Sequence, residues 1–324
     1  MREGSPTIIL KDSTLREGLD TPGASFSLAH KLRTLAALAA AGVPEAEVVA
    51  PSRVREDLGF ARRAKLAAAG MRLSGLFYAN AADCEAELEQ ASAVLDRVDL
   101  LMPLSARREP RDPAAKIARL LELLARRRPF ALEIGAGFPH ATQADPDLLL
   151  EISRRAARAG ARRITVYDTH GGADPFAVQA LVGRLTGALA VPVFFHGHND
   201  LGLATANAWA AVRAGAAGLD VTVNGLGDRA GNSSLEQVAT LLHLRGIATG
   251  VRLAELPRVS RLVARLSGVP VSRLAPVVGA YVFAHKSPAH WSMPTEFEAF
   301  DPALVGGRRR IAGRGTRPRE RVAP

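Results

Sequence analysis

His196 and His198 stand at the end of the apolar run Val191-Pro192-Val193-Phe194-Phe195 and are followed by Asn199-Asp200. The run reads as a buried strand. Side chains two apart on a strand project to the same side, so both imidazoles leave the strand tip together. Such a pair suits a divalent metal. A bare H-x-H also occurs where two histidines simply hydrogen-bond in a loop, so the pair needs partners. Three more polar clusters follow apolar runs: Lys11-Asp12-Ser13-Thr14-Leu15-Arg16-Glu17-Gly18, Tyr167-Asp168-Thr169-His170-Gly171-Gly172, and the loop from Asn224 to Asn232. Two histidines and one carboxylate, with open coordination positions, suit Mg, Mn, Fe, Co or Zn, and the sequence does not choose among them.

Each cluster also has a plainer reading. Asp12 and Thr14 suit an ordinary turn, and Gly225, Gly227 and Gly231 suit tight backbone geometry. Asp228 and Arg229 suit a structural ion pair, and His140, His170 and His285 suit polar loops. His30 and His243 fall in helices and read as structural.

The elements that must position these groups alternate along the chain. Strand-like runs at 7–10, 45–50, 73–78, 98–102, 130–134, 163–167, 191–196 and 219–223 are each followed by an amphipathic Ala/Leu/Arg-rich segment. Glycine closes most of those segments, as helix C-caps require. Eight such cycles in about 240 residues predict an α/β fold, a (β/α)8 TIM barrel with a short C-terminal appended segment. A doubly wound sheet would need a Gly-rich phosphate loop after its first strand, and the sequence has none there. The domain reading is a barrel over 1–250, a helical or irregular extension over 251–306, and an Arg-rich disordered tail over 307–324. Catalytic groups of such a barrel collect at the C-terminal ends of its strands. Closure makes strand 8 the neighbour of both 1 and 7. The carboxylate, the imidazole pair and Asn232 therefore converge at one mouth.

Composition narrows the function classes. The net charge of +10 invites a nucleic-acid reading, but seven arginines and one glutamate between Arg308 and Arg321 carry +6 of it. No aromatic residues interleave with those arginines to stack bases, so no specific nucleic-acid partner is expected. No apolar stretch approaches the roughly 18 residues that a membrane span needs, and no membrane partner is expected. The first residues lack an apolar signal segment, which reads as a cytoplasmic protein. The lone Cys84 rules out a disulfide framework within the chain. Its acidic surroundings should raise its thiol pKa, which disfavours a nucleophilic role.

Taken together, Asp12-Ser13-Thr14-Leu15-Arg16-Glu17-Gly18, Phe195-His196-Gly197-His198-Asn199-Asp200-Leu201-Gly202 and the Asn224 to Asn232 loop resemble the DRE-TIM metallolyases. Within these the chain is most similar to the homocitrate, isopropylmalate and citramalate synthases. The similarity runs from about residue 7 to 306 and includes 276–287. The resemblance implies a divalent metal held by Glu17, His196 and His198, with Asn232 as a further ligand. It implies that Arg16 polarises a 2-oxo acid and that Thr169 binds its carboxylate. It also implies an acyl-CoA donor, acetyl-CoA foremost, a homodimer, and a part for His290 in proton transfer.

The chain departs from the family pattern in several places. Asp20 stands where glutamine is usual, and Pro139-His140 replaces a Glu-Asp pair implicated as base machinery. Ser105-Ala106-Arg107-Arg108 replaces Ser-Asp-x-His, and Ser287-Pro288-Ala289-His290-Trp291 replaces S-G-I-H-Q. His140 becomes a candidate substitute base, since a neutral imidazole serves near pH 7. The chain ends without room for the regulatory domain of isopropylmalate synthases. The expectation is a metal-dependent Claisen-type condensation of an acyl-CoA with a 2-oxo acid. The rivals are a lyase or aldolase that cleaves a related 2-hydroxy acid, and a catalytically silent barrel that acts as a binding protein.

Overall fold

In the computed structural model of the protein, residues 7–68, 70–104, 113–126 and 131–311 are described. Eight parallel strands are present: β1 (Ile9–Asp12), β2 (Glu45–Val49), β3 (Arg72–Tyr78), β4 (Arg97–Leu101), β5 (Glu133–Phe138), β6 (Ile164–Asp168), β7 (Val193–Gly197) and β8 (Gly218–Val221). They close because β1 pairs with β8 as well as with β2, placing Ile9 beside Gly218 and Asp12 beside Val221. The fold is the (β/α)8 barrel that the alternation predicts.

A helix follows each strand: α1 (Leu28–Ala40), α2 (Val54–Ala67), α3 (Cys84–Ser92), α4 (Pro113–Ala125), α5 (Pro146–Ala159), α6 (Pro175–Thr186), α7 (Ala204–Arg213) and α8 (Leu235–Leu244). Local chemistry sets several boundaries. Asp145 and Asp174 each accept from two backbone N–H groups at the starts of α5 and α6, where Pro146 and Pro175 occupy the first turn. Gly160, at φ 116°, ends α5 in the left-handed region. The main core lies between the strands and these helices, so the strands are buried on both faces.

The predicted fifth strand is displaced. It runs over Glu133–Phe138 rather than 130–134, and residue 130 lies outside the described residues. Gly135 and Gly137 weaken its β signal, yet the packing leaves no room for side chains there. A Cβ at 135 would lie 2.2 Å from Asp99 Oδ1, and one at 137 would lie 2.7 Å from Leu101 Cδ2. Glu133 is turned away from the site, half-exposed and paired with Arg97 at 2.5 Å.

Below the mouth the barrel interior is polar. Lys11, fully buried, pairs with Glu47 at 2.5 Å and with Asp220 at 3.1 Å. Arg163 pairs with Asp99 at 2.8 Å and with Glu45 at 2.9 Å, and Thr165 donates to Asp99. Buried charges persist only when so partnered.

After α8 the chain passes under the barrel. Ile8 N–H donates to Ala248 and Arg252 N–H to Ala41, at the N-terminal end of β1 and beyond the end of α1. Then α9 (Leu256–Ser267) buries Leu256, Val259, Val263 and Leu266 and packs along α1. The segment beyond carries β9 (Ala284–His285), α10 (Pro288–Ser292) and β10 (Arg310–Ile311), with β9 and β10 paired in parallel. Ser105 to Arg108, and the tail from 312 onward, lie outside the described residues. Among the described residues no helix is long and apolar enough to cross a membrane.

Candidate metal centre

Glu17 stands one short turn after β1, and His196 is the fourth residue of β7. These two and His198 each offer one ligand atom, and the three atoms lie within 4.8 Å of one another. The imidazole Nε2 atoms are 3.3 Å apart, and His198 Nε2 is 3.5 Å from Glu17 Oε1. All three residues are buried. Burial, followed by the neighbouring His196, pushes His198 down to about 2, and burial lowers His196 despite Asp220 beside it. Both rings are therefore neutral, the form that ligates metal. Two lone-pair nitrogens and a carboxylate oxygen turned toward one point fit a divalent cation better than they fit one another. Asn232 adds its amide 3.2 Å from His196 Nε2, with its buried Oδ1 unbonded among the described residues. With the amide turned over, that oxygen faces the same point.

A second layer holds these groups. His196 Nδ1 is 3.0 Å from Asp220 Oδ2, which also meets Lys11 at 3.1 Å. A carboxylate on the far ring nitrogen fixes the tautomer and orients Nε2. Arg16 bridges Glu17 and Glu47; its Nε donates to Glu47 Oε1 at 2.6 Å. Burial alone would raise the Glu47 carboxyl, but the charges of Arg16 and Lys11 outweigh it and hold the group well below the carboxylate range. Asp12 lies outside the cluster. It accepts from the backbone and hydroxyl of Thr14, and burial raises it to about 7. Thr14 Oγ1 accepts in turn from Val223 N–H, tying the β1 turn to the loop after β8.

The remaining residues separate into two places. Thr169 and His140 are together at the mouth, where His140 N–H donates to Thr169 Oγ1 at 2.8 Å. His140 has φ 64° and packs edge-on against His170, with ring centroids 5.1 Å apart. Arg229 ties Asp200, Asp228 and the Thr169 carbonyl together at the rim. His290 is elsewhere. It stacks on Phe297 at 3.9 Å and lies 5.7 Å from His285, whose ring meets Glu298. That segment returns to the underside of the barrel, where Gly306 packs against Ala254. Among the described residues, the structure does not bring His290 into contact with Glu17, His196 or His198.

A family model described as HMGL-like matches residues 7–263, well over half of the chain. The chain belongs to the HMGL-like family. Relatives agree with that membership. Homocitrate synthase 1 of Nostoc sp. is 33% identical over 314 residues, covering 94% of this chain and 82% of the relative. The homocitrate synthase of Frankia alni is 35% identical over 310 residues, covering 93% and 88% respectively. A crystal structure of the hydroxymethylglutaryl-CoA lyase of Pseudomonas aeruginosa superposes with a TM-score of 0.70 at 24% identity. It covers 84% of this chain and 97% of that one, a likeness of fold. Members of the HMGL-like family depend on a divalent metal.

Within this HMGL-like barrel, sequence reading misses Lys11, Glu47, Asp99, Arg163 and Asp220. Their signal is parity. Charged residues inside otherwise apolar strands, two apart in Glu45-Ala46-Glu47, point into the barrel rather than toward the helices. Cys84 agrees with its sequence reading: it is buried, and burial pushes its thiol up to about 12.

Proposed function

We propose that this HMGL-like protein condenses an acyl-CoA, acetyl-CoA foremost, with a 2-oxo acid. The divalent cation would be held by Glu17, His196 and His198, with Asn232 as a further ligand. The observation that carries this is the Glu17–His196–His198 cluster, with Arg16 seated against Glu17, in a chain one-third identical to condensing synthases over nine-tenths of its length. The bound cation would supply Lewis-acid polarisation of the ketone.

The chain's own residues do the rest. Arg16, oriented by Glu17 and Glu47, presents positive charge where the ketone oxygen gains negative charge as the carbon–carbon bond forms. Thr169 Oγ1 already accepts from His140 N–H, which leaves its hydroxyl hydrogen for the acid's carboxylate. A base removes the acyl methyl proton. The new bond joins that carbon to the ketone carbon, and water then releases the thiol from the thioester. We assign the base to His140, whose backbone N–H holds Thr169 Oγ1 at this mouth. His290 belongs to the appended segment, and its part in the reaction requires the mouth of a partner subunit in a homodimer. The rival lyase reading rests on likeness of fold alone.

The test is thiol release. Protein loaded with Mn²⁺ and given acetyl-CoA should release free thiol only when a 2-oxo acid is present. No release across a panel of 2-oxo acids would turn the assignment toward cleavage. For the base, His140→Gln is expected to abolish solvent exchange of the acetyl methyl protons while metal and oxo-acid binding persist. Exchange that continues in His140→Gln but disappears in His290→Gln would transfer the role to His290.

A further inference from the structure

Tyr167 sits at the mouth beside the candidate metal-ligand cluster, and nothing above uses it. On β6 it is the register partner of His196, and the two rings lie 4.8 Å apart at 36°. With Leu76 and Leu101 it forms an apolar cluster separate from the core between strands and helices. All three side chains face the barrel interior. Asp99 points inward to Arg163 and Thr165. Leu101 follows it by two residues on β4, and Leu76 is its register partner on β3. Gly137 makes the wall possible, because a Cβ there would lie 2.7 Å from Leu101 and 3.0 Å from the Tyr167 ring.

Two properties of this wall point to a ligand. The Tyr167 side chain is only 5% exposed, and its hydroxyl has no hydrogen-bond partner among the described residues. A buried phenol O–H normally has one, and leaving it unpaired costs free energy that a bound acceptor recovers. Among the described residues, each cation of this interior already holds two carboxylates. Lys11 holds Glu47 and Asp220, Arg16 holds Glu17 and Glu47, and Arg163 holds Asp99 and Glu45. Among the described residues, a second carboxylate on the substrate would be desolvated against leucine without a cation of its own.

We infer that Tyr167 contacts the substrate and sets its class. Its hydroxyl donates to an oxygen of the bound 2-oxo acid, while Leu76 and Leu101 receive that acid's side chain. The preferred acid is then a 2-oxo monocarboxylate with a short apolar side chain, not a 2-oxo dicarboxylate. This rests on the oxo-acid reading above but not on the acyl-transfer step.

Calorimetry on Mn²⁺-loaded protein, with pyruvate and 2-oxoglutarate as probes and no acyl-CoA, separates the cases. Wild type should bind pyruvate at least about 10-fold more tightly than 2-oxoglutarate. Tyr167→Phe keeps the ring against His196 and should leave Mn²⁺ affinity unchanged. It should weaken pyruvate by roughly 10- to 100-fold, the scale for losing a hydrogen bond to a charged group. Unchanged pyruvate affinity in Tyr167→Phe, or a wild-type preference for 2-oxoglutarate, overturns this inference alone. Binding of neither acid overturns it together with the oxo-acid reading. Binding in the expected order without thiol release in the assay above upholds the inference and removes only the condensation.

Discussion

His196→Ala is expected to strip the divalent metal from the protein and abolish turnover while the barrel stays folded. Of the proposed ligands, His196 is the one engaged through both ring nitrogens. Its Nε2 faces His198 Nε2 at 3.3 Å, and its Nδ1 is 3.0 Å from Asp220. Loss of an outer-layer partner alone typically costs 10- to 100-fold in metal affinity, so loss of the ligand itself costs more. The fold should survive for a local reason. Asp220 keeps its ion pair with Lys11 at 3.1 Å when the imidazole goes, so no buried carboxylate is left uncompensated. The side chain also faces the barrel interior and not the core between strands and helices. Elemental analysis after dialysis, beside the far-ultraviolet circular dichroism of the same sample, reads both halves. Full metal occupancy in a folded variant would remove His196 from the ligand set. An unfolded variant would mean that the ring is structural.

The parts of this site legible in the sequence are those whose chemistry is local. His196-Gly197-His198 shows itself because two residues on one strand share a side, whatever the rest of the fold does. The Arg16-Glu17 pair shows itself because it follows an apolar run directly. The eight cycles are legible because Asp145, Asp174 and Gly160 punctuate helices by short-range bonding. Long-range pairing is different. Lys11 and Glu47 meet from 36 positions apart, and Thr14 receives Val223 N–H from 209 positions away. Such contacts exist only once strand register is set. Tyr167 was visible in a polar cluster, but its place beside His196 depends on which face of β6 turns inward and on Gly137 being bare. Gly135 and Gly137 blurred the strand that leads to His140, since glycine weakens a β signal even where packing demands it. His290 carries a motif-like neighbourhood, yet its position follows from where the appended segment docks, under the barrel beside Ala254. No local pattern encodes that.

Arg16→Lys should lower turnover by roughly 10²-fold or more, the scale for losing one donor to a developing oxyanion, with metal occupancy unchanged. The substitution isolates geometry from charge. Arg16 spans two carboxylates, donating from Nε to Glu47 and pairing through its terminal nitrogens with Glu17 and Glu47. A guanidinium does this with a planar fork that leaves donors for a third oxygen, whereas an ammonium is a point charge on a flexible stem. Lysine would still neutralise Glu47, which also has Lys11 at 2.5 Å, so the interior charge network stays compensated. Arg16→Ala would be a poorer test. Removing one member of a buried ionic group costs about 3–5 kcal/mol, and lost activity could then reflect lost structure. Steady-state kinetics of Arg16→Lys under saturating oxo acid, beside its metal content and melting temperature, gives the answer. A fall in turnover with unchanged metal content and melting temperature places the guanidinium on the reacting ketone. Near-normal turnover would confine Arg16 to holding Glu17 and Glu47 in place.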